Sequence, residues 1–245
     1  MRLTVLGSRG GYPTENSACS SYLLQTDTAT FLFDMGTGSL RNLIKTIEID
    51  KIDAVFISHL HFDHISDLLD FQYLIQMQRG DGIIHKNMKV FLPKEPEGIY
   101  SVLKNSKEFD LFEINDGMEV RIEGVNVRVK RTSHPVPSYA FRVAAEGKSF
   151  VYTGDASAST PDFDDILKDA DLAVMDCGNL EKYMKPTLAH MTPAQCFELC
   201  RRNNIKSCVL SHLIPHYSEE DYSAETKIFD QVNYVMAADG LIINI

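Results

Sequence analysis

Three histidines and an aspartate fall within six consecutive positions, His59-Leu60-His61-Phe62-Asp63-His64. Imidazole nitrogen and carboxylate oxygen are the donors that zinc, manganese and iron favour. The segment follows the apolar run 54–57 and precedes a helical pattern, so it reads as a strand end turning into a helix, a junction that aims side chains into one cleft. On an extended segment His59 and His61 project to the same side, while Asp63 and His64, further into the turn, are placed to serve a second ion. A surface turn rich in histidine by chance is the bland alternative, and four ligand types at this spacing argue against it. One segment cannot close two metal sites, so more donors are expected at other strand ends. His134 stands before the Pro135-Val136-Pro137 turn, Asp155 follows Phe150-Val151-Tyr152-Thr153-Gly154, and His212 follows Cys208-Val209-Leu210. Each alone would read as a structural or surface residue. Beside the six-residue segment they read as its partners.

The elements that must position these groups alternate in type. Apolar β-rich runs at 3–6, 22–25, 30–33 and 54–57, divided by Gly, Ser and Asp turns, suggest a meander of strands. Ile65, Leu68, Leu69, Tyr73 and Ile75 then recur at roughly helical spacing up to Arg79-Gly80. Strands fit 89–92, 109–114, 118–122, 125–130, 139–144, 149–153 and 172–175; helices fit 97–105, 162–168 and 193–202, the last with Thr192 as N-cap and Pro193 at its first position. A strand at 206–210, a short helix at 224–229 and strands at 233–235 and 241–244 close the chain. Intermixed strands and helices with many hairpins predict two mixed sheets packed face to face under outer helices. With no linker or low-complexity stretch, residues 1–245 read as one domain.

A hydrophobic share of 44% and a charged share of 24% suit an ordinary globular core. The net charge of -10 argues against a protein that grips long nucleic acid by counterion release. No apolar run approaches a membrane span, and Met1 to Gly7 reads as a strand entering a turn, not a signal peptide, so a cytoplasmic chain with no membrane partner is expected. The five cysteines are odd in number, unevenly spaced and set among apolar residues, the pattern of reduced core thiols; Cys196 and Cys200 lack the second pair that a structural zinc needs. His85 has no ligand-like context and reads as a surface residue.

The chain resembles the metallo-β-lactamase superfamily, in its ribonuclease Z and phosphodiesterase branch. The likeness runs from Leu6-Gly7-Ser8 and Phe33-Asp34-Met35-Gly36-Thr37-Gly38 through the six-residue segment to His134, Tyr152-Thr153-Gly154-Asp155 and Ser211-His212. It implies an α+β fold, a four-layer αββα sandwich, holding two divalent ions, zinc or manganese. By resemblance His59, His61 and His134 bind one ion, Asp63, His64 and His212 the other, and Asp155 bridges them, with Asp63 also counted in the catalytic machinery. An aspartate bridge resembles the phosphodiesterase and thiolester-hydrolase branches. Asp34 resembles a buried structural carboxylate and takes no metal.

Two ions suit an in-line displacement at phosphorus because they clamp the attacking hydroxide and the leaving oxygen. A poor alkoxide leaving group still needs a proton, hence a histidine near the ions but not bound to them. His190 is that candidate. His190-Met191-Thr192 resembles the His-x-Thr element of ribonuclease Z, and Asp176 stands where those enzymes carry an acidic residue that orients the histidine, raises its pKa and fixes its tautomer. The alternatives are a helix-capping loop histidine and a strand-end turn residue. By the same resemblance Ser138 or Tyr139 is a candidate hydrogen-bond donor to phosphate, with a loop-shaping role as the alternative, and His216, which replaces an arginine of the ribonuclease Z pattern, is a candidate phosphate contact, with a solvated loop residue as the alternative.

Ribonuclease Z carries a long arm between its third histidine element and the bridging aspartate, whereas only 20 residues separate His134 from Asp155. A small anionic substrate needs no basic surface, so the resemblance narrows to small phosphodiesterases, including anti-Pycsar enzymes, which hydrolyse cyclic nucleotides and form homodimers. The expected reaction is hydrolysis of a small cyclic nucleotide to the nucleoside monophosphate. A transfer-RNA 3′-processing nuclease, a thiolester or lactone hydrolase, and a binding protein without turnover are the alternatives.

Overall fold

The computed structural model describes residues 1–184, 189–227 and 231–245. Strands β1 (Arg2–Gly7), β2 (Ser21–Gln25), β3 (Thr30–Phe33), β4 (Ala54–Phe56), β5 (Met88–Leu92) and β6 (Phe109–Glu113) are followed by β7 (Glu119–Ile122), β8 (Val125–Thr132), β9 (Ser138–Ala145) and β10 (Lys148–Tyr152). The series ends with β11 (Leu172–Asp176), β12 (Cys208–Ser211), β13 (Tyr234–Met236) and β14 (Ile242–Asn244). They form two seven-stranded sheets, ordered β14-β1-β2-β3-β4-β5-β6 and β13-β12-β11-β10-β9-β8-β7.

Strand alternation makes the layers. Phe31, Phe33 and Phe56 of the first sheet meet Phe141, Phe150 and Tyr152 of the second in a shared core, with Phe33 centred 5.6 Å from both Phe141 and Phe150. Leu32 and Val55 turn to the opposite face, where α1 (Ser39–Thr46), α2 (Phe62–Gly80) and α3 (Glu97–Lys104) cover them. Val151, Ala173 and Leu210 likewise face α4 (Asp164–Leu167), α5 (Pro193–Arg202) and α6 (Glu219–Thr226). The result is a four-layer αββα sandwich.

Three departures from the sequence reading have physical causes. The opening strands are not a continuous meander: β3 and β4 pair in parallel, which demands a crossover, and α1 supplies it. No capping side chain marks the start of α1, whose N-cap is Gly38 in the left-handed region. The late helix begins at Glu219 because Ser218 forms a capping box with Asp221; part of the expected 224–229 stretch, 228–229, lies outside the described residues. β13 sits one residue later than expected, in parallel register with β12.

β3, β4 and β5 run parallel in one sheet, and β10, β11 and β12 in the other, so six carboxyl ends gather at one edge of the sandwich. Crevices at such ends are where α/β sheets present ligand-binding groups. Among the described residues, no helix is long and apolar enough to cross a membrane.

Candidate metal centre

β4 ends just before Ser58-His59, and His61 is the N-cap of α2, so the six-residue segment bends from strand to helix as its sequence requires. Asp63 lies in the first turn of α2, where the helix dipole favours a carboxylate. The buried carboxylate of Asp34, at the end of β3, anchors the junction. It accepts hydrogen bonds from the Ser58 amide and hydroxyl, both at 2.7 Å, and from the Tyr152 hydroxyl at 2.5 Å, and it pairs with His64 Nδ1 at 2.7 Å. With Nδ1 so occupied, Nε2 is the ring nitrogen that His64 presents to the cleft.

Two groups of donors converge. His59 Nε2 lies 2.9 Å from His61 Nδ1, which lies 3.2 Å from His134 Nε2. On the other side, Asp63 Oδ2 lies 3.2 Å from His212 Nε2 and 3.5 Å from His64 Nε2. Asp155 stands between the groups and turns one oxygen to each. Its Oδ2 is 3.5 Å from His59 Nε2 and 3.8 Å from His134 Nε2, and its Oδ1 is 3.2 Å from His64 Nε2 and 3.4 Å from His212 Nε2. The described residues thus include one four-donor group of His59, His61, His134 and Asp155 and one three-donor group of Asp63, His64 and His212. A third group joins Asp155, Asp176, His190 and His212.

The donor chemistry fits a pair of divalent cations. Asp155 Oδ1 and His64 Nε2 are buried with no hydrogen-bond partner, which is rare for buried polar atoms and is relieved by metal coordination. Burial keeps protons off His59, His61 and His134, lowering His134 to about 4 and so favouring the neutral imidazole that ligates metals. Burial also opposes charge on Asp155 and Asp63. His212 and His64 outweigh it, each carboxylate ending well below the usual range. Against their own burial, His64 and His212 are pushed up by Asp155 and its neighbouring carboxylates. Buried carboxylate charge balanced only by imidazoles is a setting that cations stabilise.

Loop backbone completes the centre. Gly154 (φ +56°) gives the chain a left-handed turn ahead of Asp155, and a side chain there would meet the Tyr139 carbonyl at 2.7 Å. Thr132 and Ser138 hydroxyls donate to the Asp155 carbonyl at 2.7 and 2.9 Å. The Gly11 amide donates to Asp63 Oδ2 at 2.6 Å, and Gly10 packs so tightly on His212 that a Cβ would lie 2.4 Å from the ring. Gly10 and Gly11 are site residues that the sequence reading missed; a glycine pair in the loop after the first strand was the available signal.

Asp176 closes β11, one residue later than expected, and is buried. It accepts from the Ala156 and Gly178 amides at 2.9 and 3.0 Å and pairs with His190 Nδ1 at 2.9 Å. His190 lies two residues before the Thr192 cap of α5, stacks on His212 at 4.9 Å between ring centres, and keeps 23% of its side chain exposed. Burial would strip its proton, but Asp176 prevails and raises its pKa.

The proposed phosphate contacts from Ser138 and Tyr139 are corrected. Ser138 is fully buried with its hydroxyl committed to Asp155, and Tyr139 packs in the core between the sheets. His216 is exposed at the rim, its Nδ1 3.3 Å from the Tyr12 hydroxyl. His85 is exposed, and all five cysteines are free and buried.

Residues 29–213 match a family described as "Beta-lactamase superfamily domain", a span that contains every converging donor named above. The chain is 27% identical over 245 residues to "Probable metallo-hydrolase YhfI" of Bacillus subtilis, covering 99% of both chains. The crystal structure of YhfI superposes with a TM-score of 0.91 at 24% identity, covering 99% of this chain and 98% of that one. Human tRNase Z, short form, gives a TM-score of 0.77 at 20% identity, covering 100% and 99%. A diphosphatase of the PhnP family gives 0.77 at 22% identity, covering 100% and 97%.

Proposed function

Because the chain belongs to the β-lactamase superfamily, we propose that it is a two-ion phosphodiesterase that opens a small cyclic nucleotide to the nucleoside monophosphate. His59, His61 and His134 would hold one ion, Asp63, His64 and His212 the other, with Asp155 between them. When bound, such ions neutralise phosphate charge and lower the pKa of the water between them.

The pairing of His190 with Asp176 carries this reading. Asp176 holds Nδ1 of His190 and leaves Nε2 free to face substrate. Charge from the buried carboxylate favours the protonated ring, and His190 gives its proton to the departing oxygen. An alkoxide leaving from phosphorus needs that acid, whereas a thiolate leaving from carbon has little use for it. Gly11 and Asp34 keep Asp63 and His64 in place through their hydrogen bonds.

A small substrate is supported by the hairpin between β9 and β10. Its turn consists of Glu146 and Gly147, both with positive φ, so no arm leaves the body between His134 and Asp155. The solved diphosphatase shares the fold, as does tRNase Z. A cytoplasmic homodimer belongs to the same proposal.

The test is a side-by-side assay of the zinc- or manganese-loaded protein on cyclic mononucleotides, bis(p-nitrophenyl) phosphate, a precursor transfer RNA and a thiolester. Turnover of a cyclic mononucleotide is expected. Cleavage of precursor transfer RNA or of the thiolester without it would overturn the reading.

A further inference from the structure

Tyr12 is 49% exposed, and among the described residues its ring contacts no other aromatic ring. Yet it is not a loose surface group. It stands one residue beyond the Gly11 amide that touches Asp63, and its own amide donates to the Gly10 carbonyl at 2.9 Å, while Gly10 lies against His212. At the far end of the ring, the hydroxyl meets His216 Nδ1 at 3.3 Å. His216 lies 4.6 Å from Tyr217 at an interplanar angle of 69°, and Tyr217 stacks on Tyr183 at 4.8 Å and 18°. The ring is therefore held at both ends, at the lip of the candidate centre, and the residue is about half exposed.

We propose that Tyr12 is the platform on which the planar base of a nucleotide substrate stacks, with His216 as the positioning residue that fixes the ring. The inference rests on the phosphodiesterase reading and adds the substrate class: a phosphoester carrying an aromatic base. A π face takes any base and requires no basic surface, in keeping with a net charge of -10. A phosphate drawn to the Asp63 side of the centre carries its nucleoside outward past Gly11, and Tyr12 is the aromatic side chain next along that loop. His216 thereby changes role, from the expected phosphate contact to a support for the ring.

Adenosine 5′-monophosphate and ribose 5-phosphate, the latter without a base, are the probes, and their binding to metal-loaded protein is measured calorimetrically. Tyr12→Ala should weaken adenosine monophosphate by about 5- to 150-fold while leaving ribose 5-phosphate as it was. Tyr12→Phe, which keeps the π face but loses the hydroxyl that meets His216, should weaken adenosine monophosphate only as much as His216→Ala does, and less than Tyr12→Ala, while leaving ribose 5-phosphate as it was. The chain has no tryptophan, so Tyr12→Trp adds a single fluorophore that adenosine monophosphate should quench and ribose 5-phosphate should not. His216→Ala should weaken only the base-bearing ligand. Equal losses for both ligands in Tyr12→Ala, or no loss for either, would overturn the platform while leaving the phosphodiesterase reading intact. A parent protein that neither binds the two ligands nor hydrolyses any phosphodiester would overturn that reading itself.

Discussion

Replacing Asp176 with asparagine removes one charge from the centre and leaves its shape almost unchanged. The carboxylate is 2% exposed and is held by two backbone amides, at 2.9 and 3.0 Å, contacts that an amide carbonyl can keep in part. Its charge, however, opposes the burial that would neutralise His190 and holds that imidazole above its ordinary pKa of 6.5. The acid is His190 with its proton, available below its pKa and lost as pH rises through it. In Asp176→Asn burial prevails, so the alkaline fall in kcat should move to lower pH. At neutral pH the variant should approach His190→Ala, slowed by about 10²–10⁴-fold, or about 2.7–5.5 kcal/mol of activation free energy. The assay follows kcat against pH on a cyclic mononucleotide and on bis(p-nitrophenyl) phosphate, whose leaving group needs little help from an acid. Only the first substrate should slow markedly, with the metal content of His190→Ala unchanged; that of Asp176→Asn is measured alongside, because Asp176 Oδ1 also lies 3.5 Å from His212 Nδ1. Equal slowing of both substrates on an unshifted pH profile would refute proton donation by His190.

Gly10→Ala should drive His212 from its place, because the new methyl would fall 2.4 Å from Cε1 and 2.5 Å from Nδ1. Metal analysis should then find the ion of the Asp63 group lost and that of the His59 group retained, and two ions bound as tightly as in the parent would contradict the close packing. Asp34→Ala leaves the Ser58 amide, the Tyr152 hydroxyl and His64 Nδ1 without their shared acceptor and should cost about 3–5 kcal/mol in urea denaturation; an unchanged midpoint would deny that Asp34 anchors the strand-to-helix junction. Stripping the protein with a chelator should lower its melting temperature, since ions at a hundred times their dissociation constant contribute about 2.7 kcal/mol per site. Zinc or manganese should restore it, and an unmoved transition would argue against tight ion sites.

How much of this was readable in advance depends on the range of the interactions. The six-residue segment is legible because its donors are nearly consecutive and its strand-to-helix bend is written in the flanking pattern. Asp155 and His212 could be found because each follows an apolar strand, and parallel pairing carries those strand ends to one edge; His134 follows the alternating strand β8, which its antiparallel pairing with β9, and that of β9 with β10, sets in the same direction as β10. Ser138 and Tyr139 were misread because strand parity decides direction. Ser138 pairs with Thr132 and both hydroxyls serve the Asp155 carbonyl, while the next residue turns into the core between the sheets. The contacts of Gly10 with His212 and of Gly11 with Asp63 join parts of the chain far apart in sequence, where no local pattern reports them. The crossover helix α1 was hidden because its N-cap is Gly38, in a Gly36-Thr37-Gly38 run that reads as a turn.

A pair of ion sites that share Asp155 underlies the proposed chemistry. Anomalous diffraction from crystals grown with zinc, recorded above and below the zinc absorption edge, tests it most directly. Two peaks per chain are expected, one among His59, His61 and His134 and one among Asp63, His64 and His212, each in contact with an Asp155 oxygen. A single peak, or a peak held by Asp176 and His190, would contradict it.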